Sequence, residues 1–161
     1  MLDQAAKKTV LRQITYGLYA VTARHNGDRG IFTANWLSQA SFEPPLVMLS
    51  VEQDSSTLPI IRESGRFTVC PLGDEDRELA ATLGRPKKRA GDKFETADLN
   101  VLETDAGDLA LGDSLGYFTC EVRWEMPAGD SVVVLGEVVD ARVLQEGTPL
   151  TMREAGFRHA G

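Results

Sequence analysis

The stretch whose reading decides the fold is Ile31-Phe32-Thr33-Ala34-Asn35-Trp36-Leu37-Ser38-Gln39-Ala40-Ser41-Phe42. It reads as one β-strand, ended by Glu43-Pro44-Pro45 because proline has no N–H to give a ladder. Alternate side chains on a strand share a face. Thr33, Asn35, Gln39 and Ser41 then line one side, interrupted by Leu37. Ala34, Trp36, Ser38 and Ala40 line the other. Neither side carries the clean apolar set of a purely structural strand. One is a ladder of amides and hydroxyls suited to the polar edge of a ligand. The other sets small residues beside one large ring, which leaves room for something flat. An exposed polar face with Trp36 in the core accounts for the same alternation.

Working outward, Tyr16 to Ala23 is β-rich, and His25 to Gly30 is polar and contains Asn26-Gly27, a hairpin signal. Residues 3–14 suit a short helix capped by Asp3. Downstream, Leu46 to Val51 reads as a buried strand. Ser55-Ser56-Thr57 then opens a helix with several possible capping hydroxyls, a proline in its first turn, and Gly65 as its stop. Arg66 to Leu72 is a further strand, and Asp74 to Leu83 looks helical. Two long β runs, Gly116 to Met126 and Ser131 to Leu144, meet at Pro127-Ala128-Gly129-Asp130. Residues 84–114 carry no clear periodicity. The spacing predicts six strands and a few short helices without regular alternation. That pattern argues for a mainly β, mostly antiparallel six-stranded barrel rather than a doubly wound sheet. The whole chain, 1–161, is read as one domain.

Composition narrows the function. The formal net charge is −7, the opposite of the basic footprint that nucleic-acid binding needs. No partner of that kind is expected, and no membrane span or secretory signal is read. Cys70 and Cys120 sit in apolar runs and read as buried, reduced thiols, which points to a cytoplasmic location. A phosphate would have to be held locally. The hydroxyls of Ser55, Ser56 and Thr57 at a helix start can do that, although plain capping explains them too. A basic run, Arg85-Pro86-Lys87-Lys88-Arg89, is nearby in sequence and reads in its middle as a solvated loop. No Gly-x-Gly-x-x-Gly, Walker loop or Gly-x-Ser-x-Gly occurs. The two histidines, His25 and His159, have no evident nucleophile beside them. Neither catalytic side chains nor a metal site is expected.

The order of motifs resembles the flavin reductase-like, FMN-binding split-barrel family. The likeness runs through Gly17–Ala23, Thr33–Val47, Ser55–Thr57, Glu63–Phe67, Asp92-Lys93-Phe94, Gly129-Asp130-Ser131 and Gly136–Ala141. With its Trp36 and Gln39, the chain looks most similar to the flavin reductase domain of diflavin flavoproteins. The resemblance implies a homodimeric split barrel using FMN, with FAD as an alternative, and NADH or NADPH giving hydride to flavin N5. It implies that Thr33, Ala34, Asn35, Trp36, Ser38 and Gln39 border the isoalloxazine and ribityl groups. Ser55, Ser56 and Thr57 would meet the ribityl and phosphate, and Lys93 and Phe94 would close over the cofactor with Lys93 near the phosphate. His159 is a candidate on the nicotinamide side. A protein accepting the reduced flavin is an implied partner. An FMN-binding electron carrier and a cofactor-free interaction module are the alternatives.

Overall fold

In the computed structural model, which describes residues 1–159, the run from Ile31 to Phe42 is two strands rather than one. Strand β1 (Tyr19–His25) turns through Asn26-Gly27 into β2 (Asp28–Ala34). Both turn residues have positive φ, 48° and 88°, as a tight hairpin matched to right-handed strand twist requires. Pairing then stops at Asn35-Trp36 and resumes in β3 (Leu37–Ser41), which pairs with β4 (Leu46–Glu52). Further strands are β5 (Arg66–Pro71), the short β6 (Val101–Glu103) and β7 (Leu109–Leu111), and the long β8 (Gly116–Ala128) and β9 (Ser131–Val143).

The main sheet has seven strands in the order β2-β1-β5-β8-β9-β4-β3, and β6 pairs only with β7. Every neighbouring pair is antiparallel. The expected count of six is corrected by the break at Asn35-Trp36, which splits one strand into two. The ladder is also not closed, because its order has two ends, β2 and β3. Those ends are consecutive in the chain. Seven strands laid flat would put their edges about 29 Å apart. The three Cα–Cα steps from Ala34 to Leu37 span at most about 11 Å. The sheet must therefore curl until its edges nearly meet, leaving an unpaired seam at Asn35-Trp36. There Ser50 N donates to Trp36 O at 3.0 Å, holding the crossing against β4.

Both faces of the curled sheet are buried in its centre. Val21 and Ala23 of β1 point inward with Val47, Leu49, Phe67, Val69 and Val134. Ala20 points outward into a second cluster with Ile31, Cys70, Leu72, Leu111 and Leu150. Helix α1 (Gln4–Leu11) precedes the sheet, and Asp3 Oδ1 caps it by accepting from Ala5 N and Ala6 N at 2.9 and 3.0 Å. Helix α2 (Leu58–Ser64) buries Leu58, Ile60 and Ile61, and ends at Gly65 with φ of 66°. Helix α3 (Arg77–Leu83) adds Ala80 and Leu83 to the outer cluster. The stretch without periodicity holds α4 (Lys87–Ala90), α5 (Lys93–Thr96), β6 and β7, and α6 (Met152–Ala155) lies near the C-terminus. No helix among the described residues is long and apolar enough to cross a membrane.

Candidate functional site

The seam opens into a cavity of about 770 Å³. That is within the range of sites for cofactor-sized ligands. Its floor is the end of β2 with the crossing, Ile31 to Trp36. One wall is Ser50 and Glu52 of β4 with the loop Asp54–Thr57. Facing it are Ala80, Ala81 and Gly84, followed by Arg85, Lys87 and Lys88. Met152 and the segment Phe157–His159 close the far end.

Each side chain is held by a specific contact. Thr33 Oγ1 donates to Ala80 O at 2.6 Å, locking β2 to α3. Asn35 Nδ2 reaches Met152 Sδ at 3.1 Å and His159 O at 3.4 Å. The Trp36 and His159 rings lie 5.4 Å apart at 56°, and His159 Nε2 is 3.8 Å from a Glu52 carboxylate oxygen. The Trp36 Nε1–H is buried without an acceptor, the one such side-chain atom among the described residues. A sealed, unpaired donor costs about 1–3 kcal/mol.

The hydroxyl triplet divides its work. Thr57 is 1% exposed. It packs beneath Gly30, where any Cβ would come within 2.5 Å of its Oγ1. It makes no side-chain cap; instead Ser55 Oγ accepts from Thr57 N at 3.3 Å. Ser56 is exposed on the cavity wall. Ser56 and Lys87 also share a small neighbouring crevice, which brings a hydroxyl and an amine together. Among the described residues Arg85, Lys87 and Lys88 form no ion pair.

Nine of the twelve residues expected from the sequence line this cavity: Thr33, Ala34, Asn35, Trp36, Ser55, Ser56, Thr57, Lys93 and His159. Three do not. Ser38 and Gln39 belong to the edge strand β3, beyond the break. Ser38 Oγ donates to Gln39 O at 3.0 Å and Gln39 Nε2 to Ser41 O at 3.3 Å. The expected continuous polar ladder is therefore interrupted: Gln39 and Ser41 no longer continue the face of Thr33 and Asn35. Phe94 packs under the Arg29 guanidinium, 4.6 Å from its ring centre, and does not cover the cavity.

Lys93 lines the cavity, but its amine is engaged within the chain. Its Nζ is buried and donates to Ile31 O at 3.2 Å and also to Leu83 O. The amine thus satisfies a carbonyl on the sheet edge and one at the end of α3, and burial pushes its pKa down. Asp92 caps α5 by accepting from Phe94 N at 2.9 Å. The Asp-Lys-Phe motif in this way clasps α5 to the sheet edge and to α3 at the cavity wall. Besides Arg158, the cations that line the opening with no carboxylate partner are Arg85, Lys87 and Lys88, in a run that reads from the sequence as a solvated loop. Its basic density was the available signal.

The chain is thus a mainly β, antiparallel protein with a cofactor-sized cleft at the seam of its sheet. The family model described as "Flavin reductase like domain" matches residues 11–161, and the chain belongs to the flavin reductase-like family. It is 31% identical over 158 residues to a reductase component of 4-nitrophenol 4-monooxygenase/4-nitrocatechol 2-monooxygenase from Rhodococcus opacus, covering 98% of this chain and 82% of that one. It is 29% identical over 158 residues to an actinorhodin polyketide dimerase from Streptomyces coelicolor, covering 96% and 85%. A solved structure of a nitrilotriacetate monooxygenase component B homologue from Mycobacterium thermoresistibile superposes with a TM-score of 0.80 at 30% identity, covering 91% of this chain and 79% of that one.

Proposed function

We propose that the seam cavity binds FMN and that the protein reduces flavin with a nicotinamide nucleotide. The observation that carries this is the composition of one cleft. A buried, unpartnered indole N–H stands on the side of Thr33–Trp36. Hydroxyls of Ser55 and Ser56 face the unpaired Arg85, Lys87 and Lys88. The first half suits the polar edge of a flat ring, and the second suits a phosphate in an otherwise acidic protein. Glu52 and Asp54 also line the cleft, which favours the Ser56–Lys87 side for the anion. FAD fits the same reading with its adenylate lying outward.

Bound flavin supplies the two-electron chemistry, accepting hydride from NADH or NADPH. The chain's task is to hold the ring, exclude water from one side and neutralise the phosphate. Thr33 keeps β2 and α3 together, Asn35 fixes the C-terminal segment across the opening, and Trp36 offers its N–H. No general base is required. The reductase components among its relatives support the further reading that reduced flavin passes to an oxygenase. A homodimer is part of the same proposal. Met48 of β4 and Trp124 and Met126 of β8, the two strands that flank β9, are 42%, 58% and 43% exposed, an apolar patch of the kind that associates.

Steady-state oxidation of NADH and NADPH with excess FMN tests the reading. Turnover that depends on added flavin is expected. FMN binding without turnover would make the protein an electron carrier, and absence of flavin binding would leave only an interaction module. Replacing Lys87 and Lys88 together by alanine should weaken FMN about tenfold, roughly 1.4 kcal/mol, and barely affect riboflavin, which lacks the phosphate.

A further inference from the structure

A second pocket, about 430 Å³, lies behind the far wall of the first and shares Met152, Phe157 and Arg158 with it. Three arginines line it: Arg12 at the end of α1, Arg153 in α6, and Arg158. Among the described residues none of the three pairs with a carboxylate, in a chain whose net charge is −7. The nearest acid in sequence, Glu154, is already engaged. Its carboxylate accepts from Thr151 N and Thr151 Oγ1 at 3.2 and 2.9 Å. Tyr16 and Phe157 supply aromatic walls, and Thr15 adds a hydroxyl. The partition between the pockets is anchored, because Arg77 Nε donates to Ala155 O at 2.5 Å and ties α3 to α6.

Unpaired guanidinium groups converging from separate segments match a phosphate, which can accept several charge-assisted hydrogen bonds at once. Aromatic walls beside them match a planar base. A dinucleotide has two such ends joined by a pyrophosphate, and it needs two connected spaces. The crevice on the opposite side of the main cavity, about 20 Å³, is far too small for a nucleotide. The arginine-lined pocket has the volume, the charge and the shared wall.

We propose that this pocket takes the phosphorylated adenosine end of the nicotinamide nucleotide, with Arg12, Arg153 and Arg158 gripping a 2′-phosphate, so that NADPH is preferred to NADH. The proposal rests on the flavin-reductase reading for its nicotinamide half. Its own test does not, because adenosine 2′,5′-bisphosphate can be titrated against the protein by calorimetry without flavin or turnover. The wild-type chain should bind this probe at least about tenfold more tightly than 5′-AMP. Binding should weaken with added salt. The R12A/R153A variant changes two exposed residues that do not line the main cavity. It should lose that margin and raise the KM for NADPH by about tenfold, while its affinity for FMN stays within twofold. Equal binding of the two probes, unchanged binding by the variant, or a lower KM for NADH than for NADPH would each overturn the proposal. If the probe binds as expected but neither nicotinamide nucleotide is oxidised, the pocket assignment holds and the flavin-reductase reading falls.

Discussion

An indole N–H shut away from water with no acceptor is an unfavourable feature, and Trp36 carries it where the sheet's edges part. Replacing it by phenylalanine removes the orphan and keeps most of the ring. Urea denaturation of Trp36→Phe should show the ligand-free protein no less stable, or more stable by about 1 kcal/mol, with FMN affinity reduced. A large loss of stability would mean that the N–H has a partner in the free protein. The sequence alone left Trp36 divided between core and ligand contact. Alternation cannot show where a ladder stops, and here it stops at this residue. The cysteines were more legible. Both are free and buried, and burial pushes the Cys70 thiol to about 11 and the Cys120 thiol to about 12. In the unfolded chain they ionise near the ordinary 9.0. Their stabilising contribution is therefore full below about pH 9 and declines as pH rises toward 11–12. At pH 8 a thiol reagent should label neither in the native protein and both in urea.

Elements were readable where local chemistry decided them. Asp3, Asn26-Gly27 and Gly65 each sit at the helix start, hairpin and helix end that their residue types require. The segment between α3 and β8 was not readable, because α4, α5, β6 and β7 are each three or four residues long. Pieces that short have no periodicity and are fixed by tertiary contacts. Lys93 is such a contact. Lys93→Met would strand the carbonyls of Ile31 and Leu83, and should cost about 1–3 kcal/mol at pH 7. Because burial lowers its folded pKa, the unfolded chain holds this proton more firmly. The advantage of wild type over Lys93→Met should therefore grow as pH rises toward 10.5, an order that denaturation at pH 7 and pH 9.5 would check. In β9, a Cβ on Gly136 would come within 2.6 Å of Cys120 Cβ and 2.8 Å of the Phe67 ring. Gly136→Ala should destabilise by about 1–3 kcal/mol through overpacking, measurable in the same assay.

At the scale of the molecule, the mainly β, antiparallel architecture followed from strand spacing, whereas the seam did not. It arises because a two-residue crossing joins the first and last strands of a seven-strand order. That is a property of register and curl, absent from any short window of sequence. The cavity at the seam collects residues far apart in the chain, from Thr33 to His159. Its far end depends on Arg77, Met152 and Asn35 holding the C-terminal segment in place. The central claim is that this one cleft receives the flavin by its ring and its phosphate together. Fluorescence titration of FMN and of riboflavin into the purified chain tests it most directly. The account predicts saturable quenching at one FMN per chain, with riboflavin bound at least about tenfold more weakly. Absence of saturable FMN binding, or equal affinity for the two, would contradict it.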